Sequence, residues 1–243
     1  MQAMILSAGL GTRLKPFTDH HPKALAMVNG KTVLQRNVEY LQQFGITNVV
    51  VNVHHFAQQI ITAIEEAKGW GSHITISNET TEILETGGGI KKAAPFLTQS
   101  PNCLIMNVDV LTTLDVDALI DHHNSSQALA TLATTNRASS RQLLFNKQGL
   151  LSGWKNNASG EVKPTDLLNH TSMASLQPQA FSGIQIVSKS LFKHIAFNGK
   201  FSMIDVYLDL CTRFRIVSFD HSHGEFIDIG TPEKLEHAAG TFA

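Results

Sequence analysis

Apolar and polar positions follow two rhythms in this chain. Met4–Ser7 continues an apolar run, Asn48–Val53 reads NVVVNV, and Cys103–Asn107 reads CLIMN. Short, unbroken apolar runs of this kind predict strands covered on both faces. Ile74–Asn78 adds a fourth, shorter strand. Between them the period changes. Val33–Phe44 sets Val33, Leu34, Val38 and Leu41 on one helical face, with Gly45 as the stop signal. Ala57–Ala67 and Asp115–Asn124 read as helices, the second with acidic residues in its first turn, where the helix dipole favours them. Gly88–Phe96 reads as a short helix opened by glycines and closed near Pro95. Strand and helix alternating in short units predict an α/β, Rossmann-like fold: a mostly parallel mixed sheet with right-handed crossovers and helices on both faces. Such sheets bind ligands beyond the carboxyl ends of their strands.

The second half is patterned differently. Ala128–Thr134 predicts a strand, and Leu143–Phe145 with Leu150–Gly153 a hairpin turning at Lys147–Gly149. Residues 155–180 are polar, rich in turn formers and without a clear period, which predicts a long loop forming part of a binding lid. Patterning returns with a strand at Phe181–Val187, a helix near Asp205–Thr212 and a strand at Arg215–Phe219. The closing EFIDIGTPEKLEHA predicts a strand, a turn and a helix with Thr231 as N-cap and Pro232 in its first turn. No boundary divides the chain, so residues 1–243 are expected to form one domain with an insertion or lid at about 135–185.

Charge narrows the partners. The 243 residues carry 19 basic and 20 acidic side chains, a balance that argues against a nucleic-acid partner. No apolar run approaches the ~18 residues of a spanning helix and no signal peptide is evident, so a cytoplasmic protein without a membrane partner is expected. Cys103 and Cys211 each stand alone in apolar settings and read as two buried thiols. The twelve histidines lack metal-ligand spacing.

The segment Ser7–Lys31 carries the chemistry. It follows the first strand with Gly9, Gly11, Arg13 and Lys23, a set suited to phosphates: glycines let backbone N–H groups approach the oxygens, and cations add charge-assisted bonds. A dinucleotide fingerprint would need a third glycine where Leu14 stands, and a Walker A loop would need one at Leu25. An open phosphate-binding loop is what remains.

Ala8-Gly9-Leu10-Gly11-Thr12-Arg13-Leu14, continued by Pro16, Thr18 and Pro22-Lys23, resembles the signature loop of the sugar-1-phosphate nucleotidyltransferases. LETGGGIKKA (Leu84–Ala93), NVDVLT (Asn107–Thr112) and FIDIGTPEKL (Phe226–Leu235) resemble that family's later segments, in its order. The resemblance implies transfer of a nucleoside monophosphate from a nucleoside triphosphate to a sugar-1-phosphate, with release of pyrophosphate. It implies Arg13 on the leaving phosphates, Lys23 on the reacting phosphate, and Mg²⁺ held by Asp109 and Asp228. Ala8, Gly9, Gly11, Thr12, Glu85, Gly87 and Gly88 are the further nucleotide-binding candidates, with the Glu85–Gly89 loop reading the base through its backbone. Asn107, Gly183 and a lysine, Lys155 or Lys163, are the sugar-binding candidates.

Two positions depart from the family pattern. Val108 replaces the usual glycine before the metal aspartate, which narrows or reshapes the pocket. Trp154-Lys155-Asn156-Asn157 stands where many members have Glu-Lys-Pro. With LETGGGI and FSGI, this looks most similar to the N-acetylmuramate-1-phosphate uridylyltransferases, using UTP. A mannose-1-phosphate guanylyltransferase-like enzyme and a non-catalytic binding relative are the alternatives.

Overall fold

In the computed structural model, which describes residues 1–167 and 171–242, four parallel strands form the heart of the sheet: β1 (Gln2–Leu6), β4 (Asn48–Val53), β5 (His73–Asn78) and β6 (Asn102–Asn107). Their order is β6-β1-β4-β5, in register from Gln2 opposite Asn48 and Cys103. The unbroken apolar runs are explained by burial on both sides. Ala3, Ile5, Val49 and Val51 point to one core, with Leu34, Val38 and Leu41 of α1 (Val33–Gln43) and Ile60 and Ile64 of α2 (Ala57–Glu66). Met4, Val50 and Ile105 point to the other, with Ile90 of α3 (Glu85–Ala93) and Val206 and Tyr207 of α5 (Met203–Leu210).

Local signals start the helices where they should. Thr32 Oγ1 accepts from the Gln35 N–H at 3.0 Å before α1, and Asp115 Oδ1 accepts from the Ala118 N–H at 3.1 Å before α4 (Val116–Ser126). Thr231 occupies the N-cap position of α6 (Pro232–Thr241), but its side chain makes no capping bond.

Antiparallel strands extend the sheet beyond β6. The twelve-residue β12 (Gln177–Ser188) pairs with β6 through Ile184–Ser188, with β8 (Ala130–Thr135) over Ala180–Val187, and with β9 (Arg141–Phe145) through Gln177–Gln179. β13 (Ile216–Asp220) runs parallel to β8. The hairpin of β9 and β10 (Leu151–Asn156) forms as expected and continues to β11 (Val162–Lys163).

Two expectations are corrected. Much of 155–180 is built rather than open: β10 runs on to Asn156, β11 pairs with it, and β12 begins at Gln177. Cross-strand pairing supplies the order that the polar sequence does not announce. Residues 168–170 of that segment lie outside the described residues. Cys103 is buried as expected, whereas Cys211 is only half-buried. Among the described residues no helix is long and apolar enough to cross a membrane.

Candidate active site

Beyond the carboxyl ends of β1, β4, β5 and β6 lies a cleft of about 610 Å³. It is lined by Leu6–Arg13, Lys23, Asn52, Glu79, Ile83, Glu85, Thr86, Asn107–Asp109, Lys200 and Ser202. Ala8, Gly9, Gly11, Thr12, Arg13 and Lys23 therefore share one wall. The loop carrying them folds into three short 3₁₀ turns rather than lying open. Gly11 takes φ +65°, and its carbonyl accepts from Thr18 Oγ1 at 3.0 Å. Leu14, the residue that breaks the dinucleotide fingerprint, is buried with Leu111, Ile227, Ile229 and Ala238, and it pins the loop to the C-terminal segment.

At one end of the cleft Lys23 Nζ meets Asp109 Oδ2 at 2.7 Å, both side chains mostly buried. Asp109 ends the turn after β6. The next residues form β7 (Val110–Thr112), which pairs antiparallel with β14 (Phe226–Asp228). Asp228 stands opposite Val110, and the Ile229 N–H donates to the Asp109 carbonyl at 2.7 Å. That ladder brings the backbones of the two aspartates close together, although Asp109 lines the cleft and Asp228 does not. Asp228 Oδ2 meets Lys234 Nζ at 3.2 Å, while Oδ1 is buried without a partner. Asp228 Oδ1 and the Arg13 guanidinium also close over Gly230, where an added Cβ would meet them at 2.9 and 3.3 Å. Two carboxylates, one with an unsatisfied oxygen, fit a Mg²⁺ ion, which takes one or two carboxylates and completes its shell with phosphate oxygens and water. No group of three His, Cys, Asp or Glu among the described residues offers a full protein cage.

The neighbouring sugar candidates divide. Asn107 lines the cleft, whereas Gly183 and Lys155 do not. Gly183, at φ +74°, supports Asn107 from behind, since a Cβ there would fall 2.5 Å from Asn107 Nδ2. Lys155 sits in β10 opposite Gln142 and Val162. Lys163 lies 3.4 Å from Asp205 and 5.5 Å above the Trp154 ring. Val108 lines the cleft with a side chain only 5% exposed that packs into the core beside Val110 and Leu114. Asn37 Nδ2 donates to its carbonyl at 2.7 Å.

The expected Glu85–Gly89 loop is instead the first half of α3. Gly87 and Gly88 N–H groups both donate to the Phe201 carbonyl, at 2.9 and 3.4 Å. Both glycines are there for close approach: a Cβ on Gly87 would meet the Phe201 ring at 2.4 Å, and one on Gly88 the Gly199 carbonyl at 2.3 Å. Glu85 and Thr86 line the cleft, and Gly87 and Gly88 do not.

Sequence reasoning missed Ser7, Asn52, Glu79, Lys200 and Ser202. Asn52 carried a signal, a polar residue inside the apolar NVVVNV run. Ser7 N–H donates to Asn52 Oδ1 at 2.7 Å, and Asn52 Nδ2 to Glu79 Oε1 at 2.8 Å. Burial raises the Glu79 pKa above the ordinary carboxyl range, with Asn52, Lys92 and His54 pulling the other way. Lys200 and Ser202 arrive from a loop that the sequence gives no means of placing.

Fold and cleft together define an α/β protein with a cleft at the carboxyl edge of its parallel strands. HddC from Yersinia pseudotuberculosis has the same fold, with a TM-score of 0.78 at 24% identity over 100% of this chain and 99% of its own. The nucleotidyl transferase family model matches residues 2–143, and the chain belongs to that family of nucleotidyltransferase enzymes. It is 40% identical, over 121 residues and 49% of its length, to the N-acetylmuramate alpha-1-phosphate uridylyltransferase of Caulobacter vibrioides, and spans about half of that relative, 50%. It is 28% identical to the D-glycero-alpha-D-manno-heptose 1-phosphate guanylyltransferase of Campylobacter jejuni, over 98% of both chains.

Proposed function

We propose that this protein transfers a nucleoside monophosphate from a nucleoside triphosphate to a sugar-1-phosphate, releasing pyrophosphate. The observation that carries this reading is that Arg13, Lys23 and Asp109 line one end of the cleft, with Asp228 close by on β14. A sugar phosphate oxygen is already an anionic nucleophile, so the barrier lies in bringing anions together in line. Lys23 neutralises the α-phosphate and the incoming phosphate where their charges meet. Arg13, on the exposed loop, holds the departing pyrophosphate. Asp109 and Asp228 would hold a Mg²⁺ ion, whose charge stabilises the phosphoryl oxygens during displacement. Asn107, braced by Gly183, is the sugar-side candidate in the cleft, and residues of about 135–185, none of which lines the cleft among the described residues, are the proposed insertion of a single domain.

The finer reading is UTP with N-acetylmuramate-1-phosphate or a related hexose-1-phosphate, supported by the 40% identity over 49% of this chain. A guanylyl transfer to a heptose- or mannose-1-phosphate is the second reading, favoured by the end-to-end alignment with the Campylobacter relative. The test is pyrophosphate release with Mg²⁺ across four nucleoside triphosphates and a panel of sugar-1-phosphates. One strong combination names both substrates. An inactive panel with nucleotide still bound overturns the transferase reading and leaves a binding protein whose Val108 has closed the sugar pocket.

A further inference from the structure

Asp109 leads into β7, a three-residue strand that stands outside the ten-stranded sheet and whose ladder among the described residues is with β14. So short a ladder leaves its segment free to tilt unless something else fixes it. That something is α1. Two of its side chains, Asn37 and Tyr40, stand three residues apart and so project from one face of the helix. Asn37 Nδ2 donates to the Val108 carbonyl at 2.7 Å, and Tyr40 Oη donates to the Leu114 carbonyl. The two bonds bracket β7, one before it and one after it.

Asn37 is an unfavourable choice for helix and core alone. Asparagine is a poor helix former, yet it stands mid-helix and 1% exposed, where an unbonded amide costs stability. A carbonyl can only accept, so the amide must present Nδ2 to Val108. The rest of that residue is held as well. The Val108 N–H donates to the Leu6 carbonyl at 3.0 Å, and its side chain packs with Val110 and Leu114 in the core that α1 shares. α1 also holds the other member of the ion pair. Its Val33 N–H donates to the Ala26 carbonyl at 2.9 Å, and Ala24, next to Lys23, is buried with Leu34 and Val38. One helix therefore places both the lysine and the aspartate that meet at 2.7 Å.

Resting on the transferase reading for the role of Asp109, we infer that Asn37, backed by Tyr40, is a positioning residue for that aspartate. It touches neither substrate nor metal. Its bond fixes the peptide from which Asp109 projects, and a shift of ~1 Å in such a group can cost about 100-fold in rate. Val108, where the family pattern has glycine, serves the same end. A side chain packed in the core removes the freedom that glycine would give the turn.

The test is calorimetric binding of UTP and GTP to the full chain, with Mg²⁺ and with EDTA, beside steady-state rates. Asn37→Leu nearly keeps the shape and removes the donor. The gain in nucleotide affinity that Mg²⁺ brings is expected to fall about tenfold or more, with metal-free affinity changed only a few-fold. Turnover, kcat, is expected to fall by about 10–100-fold. Tyr40→Phe loses one hydroxyl and should move both readouts the same way by a smaller factor; it decides the question should Asn37→Leu not fold. Val187→Ala, opposite Cys103 at the amino end of β6, opens a cavity in the other core and controls for lost stability alone. Its Mg²⁺-dependent gain is expected to match wild type. The same loss in that control, or equal losses of metal-free and Mg²⁺-supported affinity in Asn37→Leu, would overturn the positioning role. So would a wild-type protein that binds nucleotide no better with Mg²⁺. Transfer to a sugar phosphate by wild type, matched by Asn37→Leu in rate and in Mg²⁺ gain, would overturn Asn37 alone. A reduced Mg²⁺ gain in Asn37→Leu, when wild type transfers to no sugar phosphate, would keep Asn37 and overturn the transferase reading.

Discussion

At the β6 end of the cleft the candidate groups are charged: Arg13 and Lys23 on the first loop and Asp109 on the turn after β6, with Asp228 nearby at the end of β14 beside Lys234. At the β5 end the floor is a buried polar row, Ser7, Asn52 and Glu79, which lie at or just past strand ends and are held by one another at 2.7 and 2.8 Å. The first end suits a substrate whose charge must be neutralised during reaction, since charges on turns can exchange partners. The second suits a part of the substrate that does not change, since buried donors and acceptors discriminate best when they cannot move. On the proposed function, one cleft separates catalysis from recognition.

The sharpest way to break that comparison is Lys23→Ala. If the charged end acts in the transition state, kcat should fall by about 10²–10³-fold with nucleotide affinity changed only a few-fold. An effect confined to nucleotide KM would place Lys23 in simple binding. Asp228→Asn comes next. Steady-state titration should show the Mg²⁺ needed for half-maximal rate rising about tenfold or more, with uncomplexed nucleotide bound as before. An unchanged Mg²⁺ requirement would detach Asp228 from the metal.

At the other end Gly88→Ala should cost about 1–3 kcal/mol in chemical denaturation, because the methyl meets a backbone carbonyl, not a flexible side chain. A wild-type midpoint would mean that α3 and residues 199–201 part easily. The smallest effect expected concerns pH. His123, bonded to Thr131 and Ser188 oxygens away from the cleft, has its pKa pushed down by burial to about 4 from 6.5. The unfolded chain therefore takes a proton that the folded one refuses. The stability this gives is full above about pH 6.5 and is lost as pH falls towards 4, by up to about 3 kcal/mol. Denaturation midpoints of wild type and His123→Gln should converge over that window, and parallel curves would remove His123 as the cause.

How much of this was legible in the sequence follows the same division. β1, β4, β6 and α1 were legible because continuous burial and helical period leave direct marks on residue type. The charged end was legible because glycines, arginine and lysine in one loop have few other uses. The helix expected from Gly88 was legible, but its start at Glu85 was not, since glycine weakens an isolated helix by about 1 kcal/mol per residue relative to alanine. Only the Phe201 carbonyl and the close pass of Gly199, far along the chain, make glycines the right choice. Glu79 was hidden for a related reason: at the end of a strand it reads as a solvated acid until α3 is laid over it.

The β7–β14 ladder joins residues 110–112 to 226–228 and belongs to neither edge of the ten-stranded sheet. During synthesis Asp109 must wait for more than a hundred further residues before Asp228 exists to stand beside it. The sheet and the β5 end of the cleft can assemble while the neighbourhood of Asp109 is still half-made. Proteolysis near the C-terminus would run that order backwards, leaving a chain that keeps its main sheet but has lost the strand that stands beside Asp109.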